Sequence, residues 1–143
     1  MADDPSLAMQ KAIRARLVGS AGVTALVPQE NILDRNARPE AFPCVLLGED
    51  QVIDRGRSLK RTVMDVYSTL HIWARGEDLG GVKEIANAVR RSLRPRLLLG
   101  SPDYHCVRSS VRDMRFLRDP AGELGHGILT VESLVQEMWV YEL

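Results

Sequence analysis

Apolar residues recur along the chain with two periods, and the switches between them mark out its elements. Across residues 6–18, Met9, Ile13 and Leu17 repeat every four positions, Ala12 fills the same stripe, and Lys11, Arg14 and Arg16 fall elsewhere. That spacing predicts an amphipathic helix, capped by Ser6 and ended by Gly19-Ser20. A short second helical turn is expected over 23–26, closed by Pro28. Residues 28–43 mix Asn, Asp, Arg and proline, which predicts loop, with only Ile32-Leu33 fit for a short strand.

Period two then takes over. Cys44-Val45-Leu46-Leu47 opens a strand over 44–53, and Asp54-Arg55-Gly56-Arg57 turns the chain into a hairpin partner. Across 62–74, Met64, Val66, Leu70, Ile72 and Ala74 line one face, and Asp65, Thr69 and His71 the other. Val63, Tyr67 and Trp73 share that second face, so a central strand with a half-covered second face is expected. Val82, Ile85, Ala86, Val89 and Leu93 restore the helical period over 82–93, with Asp78 a candidate cap and Pro95 the stop. Arg90, Arg91, Arg94 and Arg96 gather where positive charge complements the helix dipole. Residues 104–117 and 127–138 read as two more strands, joined across Asp119-Pro120-Ala121-Gly122, whose Pro and Gly placement suits a type I turn. The order α-β-β-α-β-β predicts an α+β fold, a small, mostly antiparallel sheet of about four strands with helices packed on one face.

Composition bounds the function. The chain has 143 residues, 45% hydrophobic and 27% charged, which suits one domain over 1–143, with 136–143 as a C-terminal extension. Nineteen Lys and Arg balance nineteen Asp and Glu, so there is no whole-molecule attraction to phosphate. Cys44 and Cys106 are too few for a disulfide framework or a four-thiolate zinc site and are expected to be buried, reduced thiols. The acidic start Ala2-Asp3-Asp4 is unlike a secretory leader and no apolar run approaches ~18 residues, so a soluble protein made in the cytoplasm, with no membrane partner, is expected.

Candidate chemistry is sparse. His71, His105, His126 and Cys106 lack metal-ligand spacing, and adjacent His105 and Cys106 point to opposite faces of a strand. Gly80-Gly81 has neither the Lys-Ser/Thr of a phosphate loop nor a dinucleotide fingerprint, and there is no Gly-x-Ser-x-Gly elbow. No enzyme, cofactor or metal is expected. Two features point instead to partners. Arg55, Arg57, Lys60 and Arg61 crowd the first hairpin tip with only Asp54 opposing them in that segment, which suits an acidic partner surface or a phosphate backbone. Mutual repulsion predicts that 54–61 is disordered until a partner binds. Leu134, Val135, Met138, Trp139, Val140 and Tyr141 form an apolar load beyond what a half-exposed strand needs, as a subunit interface would. Arg55, Arg57, Lys60, Arg61, Trp139 and Tyr141 are therefore the candidate partner-binding residues. A nucleic-acid-binding module built on 54–61 is the competing reading, disfavoured by zero net charge and by the lack of interleaved exposed aromatics.

The strand Phe42-Pro43-Cys44-Val45-Leu46-Leu47-Gly48, the strand Leu70-His71-Ile72-Trp73-Ala74-Arg75, and Arg115-Phe116-Leu117-Arg118-Asp119-Pro120-Ala121-Gly122 followed by His126-Gly127 carry a family resemblance. Over residues 7–131 the chain resembles the tail-completion, or tail-terminator, proteins of long-tailed phages and phage-like gene transfer agents. Cys44 departs from that pattern, which has an aromatic residue there, and the chain after Gln136 runs past the match. The resemblance implies a small α+β domain, placed in the virion tail after assembly in the bacterial cytoplasm. It implies a hexameric ring that caps the head-proximal end of the tail tube, terminates tail polymerisation and joins tail to head. The implied partners are further copies of the chain, the tail tube protein and a head–tail connector or stopper protein. DNA is implied only as cargo passing through the ring.

Overall fold

The first helix, α1 (Pro5–Val18), begins at a proline because the first helical position has no use for a backbone N–H, and Asp4 rather than Ser6 holds the N-cap position. The Ser6 hydroxyl turns back to the Asp4 carboxylate. The computed structural model describes residues 4–34, 41–76 and 78–138 of the chain. A single-turn helix, α2 (Ala21–Thr24), and a 3-10 turn (Gln29–Asn31) lead to β1 (Ile32–Leu33). The hairpin β2 (Cys44–Ile53) and β3 (Val63–Arg75), the helix α3 (Gly80–Ser92) and the hairpin β4 (Tyr104–Arg118) and β5 (Leu124–Glu137) complete the order.

The sheet order is β1-β2-β3-β5-β4, with β3 central as expected. The fold is α+β, but the sheet has five strands rather than about four and is mixed. The added strand is β1, which pairs parallel to β2 through Ile32–Val45 and Leu33–Leu46. It is the Ile32-Leu33 pair expected as a short strand; what the sequence left open was its parallel place beside β2. β5 starts at Leu124, ahead of the expected 127, because pairing with β3 continues through Ala74–Gly125 and Arg75–Leu124. Its glycines hid that start from any hydrophobic count. They also let α3 approach the sheet: a Cβ on Gly125 would meet Val82 Cγ1 at 3.1 Å, and one on Gly127 would meet Val82 Cγ2 at 3.2 Å. The β4–β5 turn closes as its residues require, with the Gly122 N–H donating to the Asp119 carbonyl at 2.8 Å.

One sheet face carries the helices and the core. Met9, Ile13 and Leu17 of α1 and Val82, Ile85, Ala86 and Val89 of α3 bury against Val66, Leu70, Ile72, Leu129, Val131 and Val135. Across the strands, Val63, Tyr67, Thr69, His71 and Trp73 occupy the opposite face and stay partly exposed.

The ends of α3 show two ways of satisfying orphan backbone groups. At its start, Leu79 holds the N-cap position and Asp78 Oδ1 accepts the Gly80 N–H at 2.8 Å. At its end the local arginines are not the cap. Arg16 of α1 reaches across and donates to the carbonyls of Ser92 (2.8 Å), Pro95 (3.0 Å) and Arg96 (3.1 Å). Arg90 instead bonds Asn87, and Arg96 bonds His105 and the Cys106 carbonyl. Arg16→Ala should therefore cost about 1–2 kcal/mol, since charge-assisted hydrogen bonds to an α3 terminus are lost. A lowered urea midpoint, partly restored by Arg16→Lys, is the expected measurement.

Candidate partner-binding surface

The hairpin tip between β2 and β3 is built by side chains bonding to backbone. Asp54 Oδ1 accepts the Gly56 N–H at 2.8 Å, Ser58 Oγ accepts the Thr62 N–H at 3.0 Å, and the Arg61 N–H donates to the Ser58 carbonyl at 3.1 Å. Gly56 and Arg61 both take positive φ, +70° and +58°. The cations are not left to repel one another. Arg55 Nε lies 2.8 Å and Arg57 Nη2 3.2 Å from Asp65 Oδ2, and Arg61 Nη1 lies 3.5 Å from Asp54. Arg55 also donates to the Tyr67 hydroxyl at 2.8 Å. Asp65 is 2% exposed, so its charge requires such partners. The expectation of a tip disordered until bound is therefore corrected. The missing counter-charge lies outside the segment in sequence, and the pairing of Ile53 with Asp65 sets it at the base of the tip. Lys60, Arg61 and Leu59 remain exposed at the apex.

Beyond the tip, the sheet face opposite the helices forms a shallow groove of about 520 Å³, lined among others by Gln51, Arg55, Tyr67, Thr69, Arg112 and Thr130. The Tyr67 ring has the Arg55 guanidinium 6.0 Å and that of Arg112 5.7 Å from its centroid, and its hydroxyl reaches Glu132 at 3.4 Å.

At the far end of this face the structure joins residues that spacing alone kept apart. The cross-strand pair Trp73–His126 stacks at 3.8 Å between centroids and 8° between planes. His126 Nε2 lies 2.9 Å from His71 Nδ1, and His71 Nε2 lies 3.1 Å from Glu49 Oε1. One imidazole must donate and the other accept, so the pair does not keep this bond with both rings fully protonated. Gly48 makes room for it, since a Cβ there would meet His71 Cδ2 at 2.8 Å. The only sequence signal was His71 and Trp73 two positions apart on one strand face; their partner depended on register. Burial lowers the His126 pKa below its usual 6.5, helped by His71 and Arg115 and opposed by Asp119 and Glu49. A hydrogen bond from its own backbone, and the neighbouring His71, hold Glu49 below the usual carboxylate range against the opposing effect of burial.

Cys44 and Cys106 are buried and free. Burial pushes the Cys44 thiol up to about 11 and raises that of Cys106, which disfavours the thiolate a nucleophile needs. Among the described residues no group of three His, Cys, Asp or Glu is placed to hold a metal ion. No helix among them is long and apolar enough to cross a membrane. Of the candidate partner-binding residues, Trp139 and Tyr141 lie outside the described residues.

Residues 11–136 match the family model of tail completion protein gp17. Among solved structures, a chain in the virion of a native gene transfer agent particle shares the fold with a TM-score of 0.79 at 20% identity, over 94% of this chain and 99% of that one. The gp17 protein of bacteriophage SPP1 aligns with a TM-score of 0.59 at 19% identity, over 90% of this chain and 88% of that one. No curated protein sequence matches.

The histidine stack has a pH signature. A folded-state His pKa below the unfolded value means that the unfolded chain binds the proton first, so this contribution to stability is whole above pH 6.5 and declines as pH falls below it. Glu49 acts in a lower window, its contribution being lost only as pH falls through its depressed pKa. The urea midpoint should therefore drop between pH 7 and pH 5, and His126→Phe, which retains a stacking ring, should flatten that drop. An NMR titration should place the His126 midpoint below 6.5.

Proposed function

Since the chain belongs to the tail completion protein gp17 family and is a structural protein of a phage or phage-like tail, we propose that it forms a ring capping the head-proximal end of the tail tube. In this reading the ring stops further addition of tube subunits and joins the tail to the head. The observation that carries it is the family match over 11–136 together with a fold shared along nearly the whole of a chain from a gene transfer agent virion. The partners are further copies of the chain, expected to number six, the tail tube protein and a head–tail connector, with DNA passing only as cargo. Such a role needs binding surfaces and no catalysis. Head-to-tail contacts with a closing rotation produce a ring, and one axial face then remains for the tube.

Lys60 and Arg61 at the exposed apex are the cations of the tip best placed for a partner, because Arg55 and Arg57 are engaged by buried Asp65 while Arg61 meets only the exposed Asp54, at 3.5 Å. The same pairing removes two of the four cations that a nucleic-acid module would need. Trp139 and Tyr141 remain candidates for a contact between subunits.

Loss of the protein should give tails of abnormal length that fail to join heads; normal-length tails in its absence would overturn the assignment. Changing Lys60 to Ser together with Arg61 to Gly, which suits the positive φ at 61, should leave the melting temperature near that of the unaltered protein. It should weaken assembly on tubes by about 0.2–1 kcal/mol per charge, and the difference from wild type should shrink as salt rises. Equal tube binding by both proteins at low salt would remove the tip from the interface.

A further inference from the structure

Strand direction alternates across the four long strands in their spatial order, β2, β3, β5 and β4, because each neighbouring pair is antiparallel. An even number of alternating strands leaves edges that run in opposite directions. A second copy set beside the first in the same orientation would thus bring its β2 antiparallel to β4, continuing the pattern of the sheet. Both edges are available. Among the described residues β4 has no strand on its outer side, and β1 covers β2 only at Val45 and Leu46, leaving the stretch through Asp50 to Ile53 without an outer partner. An open edge of this kind is a template for pairing unless it is blocked.

The two edges are also level and opposite in charge. Tracing the register across the sheet, Leu47 stands in line with Leu70, Leu129 and Met114, while Ile53 stands in line with Asp65, Leu134 and Arg108. The irregularity between Leu47 and Asp50 therefore lies at the height of the one between Val111 and Asp113. At that height β2 presents exposed Glu49 and Asp50, and β4 presents exposed Arg112, flanked by exposed Arg108 and Arg115, against a single acid, Asp113. None of these three arginines has a carboxylate within salt-bridge distance among the described residues. Asp50 lacks a cation there too, and its pKa is raised by burial and by the neighbouring charges of Asp4 and Glu49; Glu49 has only His71 Nε2, at 3.1 Å, a group that carries charge only when protonated. Each edge thus carries an excess of the charge the other lacks. The irregular backbone discourages pairing with an arbitrary strand, and a partner with its own irregularity at the same height fits it.

We propose that the lateral joint between copies of this chain is the β4 edge of one copy against the free β2 edge of the next, with Arg112 and Arg115 facing Glu49 across it on the open face and Asp50 adding its charge from the helix side. This deepens the ring reading and rests on it. The joint is heterologous, so every copy offers one basic and one acidic edge, and closure uses both in all copies.

Charge reversal on either side tests this directly. One variant carries Glu49→Lys and Asp50→Lys, the other Arg112→Glu and Arg115→Glu. Particle mass is measured for each alone and for the two mixed, with and without tail tube protein. Each variant alone should lose the ring and show the mass of a single subunit, because all its joints bring like charges together. An equimolar mixture should recover rings, and only even-numbered ones, because basic-edged and acidic-edged copies must alternate. Recovery on mixing also shows that both variants are folded. If either variant alone forms rings as the wild type does, or if the mixture fails to recover them, the edge joint is overturned while the ring reading stands. A wild-type protein that stays a single subunit both alone and with tubes overturns the ring reading and this joint with it.

Discussion

The pairing of β3 with β5, continuous from Val63–Gln136 to Arg75–Leu124, is the constraint on which the rest of the molecule depends. Side chains alternate across a strand, so this one register assigns every residue of both strands to the helix face or the open face at once. A one-residue slip of β5 against β3 would carry Leu129 and Val131 out of the core and set Thr130 and Glu132 beneath the helices. The helices then follow from what the register buries. α3 lies close over β5 because Gly125 and Gly127 leave room for Val82, and α1 locks to the end of α3 through Arg16.

The same register organises the polar face. Asp65 is carried by β3 to the base of the β2–β3 tip, where burial gives its charge a need for cations and the tip supplies two. At the opposite end, His126 is delivered onto Trp73 and beside His71, so three residues distant in sequence become one stacked and hydrogen-bonded unit reaching to Glu49. Between these ends the open face presents hydroxyls, a guanidinium-flanked tyrosine and mixed charge. A surface of this kind is suited to specific contact with another protein, since its charges are positioned by partners within the fold and its apolar content is modest.

A tail-completion role places particular demands on so small a chain. In the proposed ring it would meet copies of itself on two sides and different proteins above and below, all with one sheet and a few helices. The fold supplies lateral asymmetry through its topology, with a long arginine-bearing edge strand on one side and a short, partly covered acidic edge on the other. The helices already fill the apolar face of the sheet, so its edges and loops are what the described residues offer to the proposed assembly.

Much of this architecture was legible in the sequence. The 3.6-residue stripe through Val82, Ile85, Ala86, Val89 and Leu93, the alternation from Met64 to Ala74, and the Pro120–Gly122 turn each report a local preference that the fold retains. The motifs around Phe42, Leu70 and Arg115 pointed to the family because they lie on strands whose order and spacing the fold preserves. Other features depended on residues far apart in the chain. Ile32-Leu33 was legible as a short strand but its parallel pairing with β2 was not, the start of β5 is masked by glycines, and the α3 terminus is capped by an arginine from another helix. The counter-charge of the 54–61 tip and the partner of His71 were likewise present in the sequence but unassigned. Local pattern determines which face a residue prefers, while the register between strands decides which residue it meets there.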